Sequence, residues 1–231
     1  MRFAAFETST EWCSVALWLD GEMVGVEEPV GNRHSERVLP MLDELFRMTD
    51  ITVSQLDAIA FGAGPGSFTG LRIACGVAQG LAYARGLPVI GVSTLEAIAE
   101  ESGAQRVVAC LDARMREVYY SAHERIDEKP GGRWLEVIAA SCVAPAAVPT
   151  PPGEGWIGCG NGFAAYGSMG LATVMPDIHP SAMAVARLAA PRLAAGEGQD
   201  AALAVPAYVR DKVALTEAER NAGRAGGRAV A

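Results

Sequence analysis

The sequence has very little lysine and no long apolar run, and each absence excludes a class of protein. Lys129 and Lys212 are the only lysines, and neither closes a G-x-x-x-x-G-K-[ST] loop, so the chain is not a P-loop NTPase. No stretch approaches the ~18 apolar residues of a membrane span, and Glu7 interrupts the apolar start that a signal peptide requires. The sequence therefore predicts a soluble, cytoplasmic protein that does not contact a membrane.

Positive charge is also scarce. The chain has 19 Lys and Arg against 27 Asp and Glu, which gives a net charge of −8 and a pI of about 5.0. A protein that holds nucleic acid by its own surface needs the opposite balance, because it must neutralise phosphates. Any role with nucleic acid is therefore expected to be indirect.

Cysteine and histidine occur without metal-ligand spacing. The five cysteines include no C-x-x-C pair, which favours reduced core thiols over disulfides or zinc ligands. His34, His123 and His179 are too dispersed to form an H-x-x-x-H pair, and a catalytic triad is not indicated. Spacing alone therefore indicates no metal site and no catalytic triad built from these residues.

What the sequence does contain is typical of one large or two small globular domains. It has 231 residues, of which 50% are hydrophobic and 20% charged. Apolar patterning predicts a βββαβαβα order in the first half and a second set of strands from Gln105 onward. The predicted helices cover 33–49, 68–85, 93–102 and 181–196, and Pro40 and Pro191 interrupt two of them. We divide the chain into domains at 1–103 and 104–212, followed by a flexible tail over 213–231.

Two polar loops are candidate sites. The glycine loop 62–70 fails the dinucleotide fingerprint in both registers, because Ser67 and Thr69 stand where glycine is needed. It is either an anion-binding helix start or an architectural turn. The turn at Glu7 to Thr10 is either a capped turn or the place of a nucleotide-bound metal.

The first two helices have more apolar surface than one sheet covers. Apolar residues of the first helix span about 180°, whereas packing on one sheet requires only ~100°. The second helix is apolar almost all round, and its alanines and glycines allow close backbone approach. Either the second domain or a partner protein must cover the remainder.

Several segments resemble the bacterial TsaB family, also called YeaZ. They are FETSTEWCSVAL, GAGPGSFTGLR with AQGLA after it, LPVIGVSTLEAIA, DAR-x-x-EVYYS, GCGNG and PAYVRD. They occur in the family's order and spacing from Met1 to about Lys212, and GPGSFTGLR followed by STLE is the most specific part. The resemblance implies the actin-like ATPase superfamily fold, an α/β fold of two ribonuclease-H-like βββαβα domains.

The resemblance also implies a function. Family members are usually non-catalytic subunits in the synthesis of threonylcarbamoyladenosine beside the tRNA anticodon. They pair with the catalytic paralogue TsaD and the ATPase TsaE, contact tRNA indirectly through the complex, and form homodimers when alone. ATP, magnesium and a TsaD-bound metal are expected in the partner subunits, and no cofactor in this chain.

Single residues agree with a non-catalytic role. TsaD is similar around VSTLEAI but has two metal-binding histidines where this chain has Thr94 and Ile98. Glu7 stands where the family usually has aspartate, which argues against a nucleotide site. The family pairs through its first two helices, so the expected partner interface consists of Leu42, Leu45, Phe46, Leu71, Ala74, Cys75 and Ala78. Two alternatives remain, a free-standing kinase of the same fold and a glycoprotease-like metallopeptidase.

Overall fold

The computed structural model of the chain describes residues 1–127 and 129–210, which form two five-stranded sheets. The tail predicted over 213–231 and the last two residues of the predicted second domain lie outside the described residues. The first sheet contains β1 (Arg2–Glu7), β2 (Trp12–Leu19), β3 (Glu22–Pro29), β4 (Ala58–Gly64) and β5 (Val89–Ser93). The second contains β6 (Arg106–Arg114), β7 (Glu117–Arg125), β8 (Trp134–Val143), β9 (Ile157–Cys159) and β10 (Thr173–Met175). The helices are α1 (His34–Thr49), α2 (Phe68–Arg85), α3 (Thr94–Ser102), α4 (Asn161–Tyr166) and α5 (Ala182–Ala194).

The two sheets have the same topology. Their orders are β3-β2-β1-β4-β5 and, read from the opposite edge, β8-β7-β6-β9-β10. In each sheet the first strand lies in the centre, antiparallel to the second strand and parallel to the fourth. The βββαβαβα order predicted for the first half is confirmed, and the second half repeats its strand arrangement.

Strand alternation separates the core of the first sheet into two layers. In β1, Ala4 and Phe6 face the layer under α1 and α2, whereas Phe3 and Ala5 face the layer under α5. The α5 face is rich in alanine, which lets the helix approach the small residues of the sheet closely. Pro40 and Pro191 both lie inside their helices, so neither proline ends the helix in which it stands.

Two helices pack on the sheet across the domain boundary that the sequence predicts at residue 103. Leu95 and Ile98 of α3 pack on the second sheet, although the predicted boundary places them with the first. Val185 and Leu188 of α5 pack on the first sheet, although the boundary places them with the second. Each half of the chain therefore supplies one helix to the sheet of the other half.

A buried ion pair network holds these crossing helices together. The Glu100 carboxylate accepts hydrogen bonds from Arg125 at 3.0 Å, Arg187 at 3.2 Å and the Trp134 indole at 3.1 Å. The network joins α3, β7, β8 and α5. These charged hydrogen bonds offset the desolvation cost of burying the carboxylate. Within the described residues, no helix is long and apolar enough to cross a membrane.

A second buried polar pair makes stability depend on pH. His123 on β7 bonds the Ser121 hydroxyl at 2.7 Å, and burial lowers the His123 pKa from its usual 6.5 to about 4. The unfolded chain therefore binds a proton that the folded chain excludes. We expect the free energy of unfolding to fall by up to about 3 kcal/mol as the pH drops from 6.5 to 4.

Urea denaturation at a series of pH values measures this slope, and His123→Gln is the matched variant because it keeps a hydrogen-bonding side chain but does not titrate there. Its curve should be flatter over that interval. Equal slopes for the two chains would show that His123 does not contribute.

Candidate functional site: a cleft and a neighbouring helix face

A cleft of about 680 Å³ lies between the two sheets. Its first wall consists of the β1–β2 turn and the glycine loop before α2, and its second wall consists of the β6–β7 turn and the start of α4. Residues 207–210 line it as well. Polar side chains in the lining include Thr10, Ser67, Thr69, Tyr119 and Asn161.

Glu7, at the end of β1, is directed into the protein instead of the cleft, whereas Glu11 of the β1–β2 turn is exposed and lines it. It is 1% exposed and accepts hydrogen bonds from the Ser9 amide at 2.6 Å and the Thr94 hydroxyl at 3.4 Å. Burial raises the pKa of this carboxyl, and the hydrogen bonds oppose that rise. Of the two interpretations of this turn, the geometry favours the capped turn.

The glycine loop is packed directly against that turn. The Ser67 amide donates to the Ser9 carbonyl at 2.7 Å, and the Thr8 hydroxyl donates to the Gly70 carbonyl at 2.8 Å. A Cβ at Gly66 would lie 2.6 Å from Ser9, and one at Gly70 would lie 1.9 Å from the Thr8 carbonyl oxygen. These glycines are needed for close backbone contact, so the geometry favours the architectural turn over an anion site. Ser67 caps α2 by accepting from the Gly70 amide at 3.3 Å.

The β6–β7 turn is strained and basic. Arg114, Met115 and Arg116 all have left-handed backbone angles, with φ of 63°, 54° and 61°. Asp112 supports the turn by accepting from the Arg114 amide at 2.8 Å, and its own amide donates to Asn161 at 2.9 Å. The turn therefore presents the exposed Arg114 side chain at the cleft mouth. The sequence does not predict this basic turn, because the DAR segment is its only local signal.

The cysteines and histidines of the described chain do not converge. All five cysteines are free, and burial raises the pKa of Cys13 and Cys110 to about 12. Thr94 and Ile98 are completely buried, Thr94 against Glu7 and Ile98 in the core under α3. Among the residues that the structure describes, no group of three His, Cys, Asp or Glu could hold a metal ion.

Most residues of the predicted partner interface lie inside this chain. Phe46 is partly buried, and the other six residues are buried inside this chain: Leu42, Leu45, Leu71, Ala74, Cys75 and Ala78. The reason is that α1 and α2 lie side by side on one face of the first sheet. Each helix is therefore covered both by the sheet and by its neighbour, which buries a wider arc than a sheet alone.

A different stripe of α2 is exposed. Arg72, Gly76, Gly80 and Tyr83 follow one another at helical spacing, and we call these four residues the exposed α2 face. Tyr83 is 79% exposed, and a Cβ added at Gly76 or Gly80 would meet nothing within 4 Å. Half-buried apolar side chains border the stripe: Ile73, Val77 and Leu81. No acidic residue occurs in α2, so this face is apolar and weakly cationic in a chain of net charge −8.

Comparisons with known proteins agree with the resemblance. Residues 26–154 match the family described as "TsaD: tRNA N6-adenosine threonylcarbamoyltransferase". A TsaB protein of Escherichia coli, named for tRNA threonylcarbamoyladenosine biosynthesis, is 37% identical over 93% of this chain and 96% of its own length. A Haemophilus influenzae protein of the same name is 41% identical over 72% of this chain and 74% of its own length.

A solved structure supports the fold as well. YeaZ from Pseudomonas aeruginosa is 38% identical, with a TM-score of 0.83 over 90% of this chain and 99% of that one. The repeated strand order and this likeness confirm the predicted actin-like ATPase superfamily fold, with two ribonuclease-H-like sheets. Since the identity extends over nearly the full length of a TsaB protein, the chain belongs to the TsaB family, also called YeaZ.

Proposed function

We propose that this chain is a non-catalytic, activating subunit in the synthesis of threonylcarbamoyladenosine on tRNA. The observation that carries the proposal is the 37% identity to a protein named for this biosynthesis, over 96% of that protein's length. The chain pairs with a TsaD-like catalytic subunit, and a TsaE-like ATPase joins the pair. It acts in the cytoplasm and contacts tRNA through the assembly, in keeping with its net charge of −8.

The state of the polar residues supports the absence of chemistry in this subunit. Glu7 is buried and hydrogen-bonded by its own turn, and Thr94 and Ile98 are packed in the interior. None of the three offers a group to a reactant in the cleft. ATP, magnesium and the metal of the transferase belong to the partner subunits in this proposal.

The exposed α2 face is the surface proposed to bind the TsaD-like subunit. Gly76 and Gly80 let a partner helix approach the α2 backbone closely, and the half-buried Ile73, Val77 and Leu81 supply apolar contact beside them. When the chain is alone, a second copy can use the same face, which accounts for the expected homodimer. The apolar, weakly cationic character of the face suits a partner helix with an acidic margin.

Reconstitution tests the function. The host's TsaD-like and TsaE-like proteins are incubated with tRNA, ATP and threonylcarbamoyl donor, with and without this chain. We expect threonylcarbamoyl transfer to require the chain and to rise with its concentration up to a fixed ratio to the TsaD-like subunit. Equal transfer without the chain would contradict the proposal.

Metal and nucleotide analysis of the isolated chain tests the two alternatives. We expect no stoichiometric zinc or iron in protein purified without chelator, and no useful hydrolysis of peptides or ATP. Bound metal that is lost on replacing His34 or His179 would favour a metallopeptidase. Micromolar affinity for ATP would favour a kinase.

A further inference from the structure

We propose that residues 204–210 form a releasable strap that bridges the two walls of the cleft at its mouth and so limits how far they open. The inference concerns this chain alone and does not depend on the proposed function. The strap runs from α2 and the end of β4, past the mouth of the cleft, to the β6–β7 turn. Residues 207–210 line the cleft along this path.

One end of the strap is bonded to the first sheet and α2. The Ala204 carbonyl accepts from the Gln79 amide at 2.9 Å, and the Ala207 amide donates to the Ala63 carbonyl of β4 at 2.7 Å. The Tyr208 hydroxyl accepts from the Arg72 guanidinium at 3.0 Å. The Tyr208 ring lies 5.7 Å from that of Phe68, at the start of α2.

The other end is held on the second sheet by Arg210. Its Nη2 donates to the Ala113 carbonyl at 2.9 Å and to the Glu117 carboxylate at 2.6 Å. Both acceptors flank the strained β6–β7 turn, the opposite wall of the cleft. Arg210 therefore joins the strap to the second sheet by charge-assisted bonds, which are stronger than neutral ones.

The contacts that hold the strap are mainly polar. Ala204 is buried, but Val205 is 66% exposed and Tyr208 50% exposed, so little apolar surface is covered. Segments with few buried apolar contacts open locally at a lower free energy than the strands of a core. Release of Arg210 would free the end of the strap and remove its constraint on the cleft.

Hydrogen exchange and a distance measurement on the full chain test the proposal together. Exchange of the Ala207 amide is followed by NMR and compared with the Ala60 amide of the central sheet. Spin labels are attached at the exposed positions Asn32 and Arg116 through genetically encoded ketone side chains, so that the cysteines remain native. The distance between these labels reports the separation of the two walls.

The test variants are Arg210→Ala and Glu117→Gln, and the matched control is Arg192→Ala. Arg192 forms a comparable pair with Glu197 at 3.1 Å, away from the strap. We expect the Ala207 amide to exchange faster than Ala60 in the parent chain, and about tenfold faster again in each test variant. The label distance should lengthen or broaden in the test variants and stay unchanged in Arg192→Ala.

Each contrary result overturns the proposal. Ala207 protection equal to that of Ala60 would show that the strap does not open locally. Unchanged exchange and label distances in folded test variants would show that Arg210 does not hold the two walls. If Arg210→Ala fails to fold, Glu117→Gln still tests the proposal, because it removes only the charge of the acceptor.

Discussion

Replacing Ala78 with arginine is expected to unfold the isolated chain. Ala78 is completely buried in the layer between α2 and the first sheet, together with Leu45 and Phe61. A guanidinium there would be buried without an acid to pair it, at a cost of more than about 4 kcal/mol. That cost is comparable to the whole stability of many domains, so thermal denaturation followed by circular dichroism should show no cooperative transition.

Gly76→Arg is the matched control for that prediction, two residues away on the opposite side of α2. A Cβ at Gly76 meets nothing within 4 Å, and replacing a helical glycine improves helix propensity by about 0.8 kcal/mol. We expect this variant to melt at or above the temperature of the parent chain. A melting temperature for Ala78→Arg equal to that of the parent would contradict the placement of α2.

The second large effect is expected for Gly70→Ala. The added methyl group would lie 1.9 Å from the Thr8 carbonyl oxygen, and neither can rotate away, because the backbone fixes the position of both. The β1–β2 turn and the glycine loop would have to separate, breaking the bond from the Thr8 hydroxyl to Gly70. We expect a loss of about 3 kcal/mol or more in the free energy of unfolding, measured by urea denaturation.

Gly80→Ala tests whether that loss is specific to the contact. Gly80 also lies in α2, but a Cβ there would meet nothing within 4 Å. The substitution should therefore stabilise the chain by up to about 1 kcal/mol. If Gly70→Ala were as stable as Gly80→Ala, that result would contradict the close contact between the β1–β2 turn and the glycine loop.

Much of the fold was predictable because its local signals are strong. The second helix has the predicted bounds of 68–85, and Ser67 and Ser93 cap α2 and α3. The short elements α4 and β10 were missed, since six and three residues are too few to show a period. The crossing of α3 and α5 between the sheets depends on long-range packing that no local pattern records.

The partner face could not be chosen from periodicity alone. Ala74, Ala78 and Ala82 form one stripe of small residues on α2, and Gly76 and Gly80 form another at the same spacing. Both stripes allow close packing, so apolar arcs do not distinguish the one on the sheet from the exposed one. Polarity distinguishes them, because Arg72 and Tyr83 extend the glycine stripe, and the structure exposes that side.

Binding to the host's TsaD-like protein, measured by calorimetry, tests whether the exposed α2 face is the docking surface. The variants are Gly76→Arg and, as control, Ala164→Arg, which adds the same charge to an exposed position of α4. A guanidinium in a close helix contact should weaken binding about 100-fold or more, while Ala164→Arg should bind as the parent does. If folded Gly76→Arg bound the TsaD-like protein with parental affinity, the exposed α2 face would not be the docking surface.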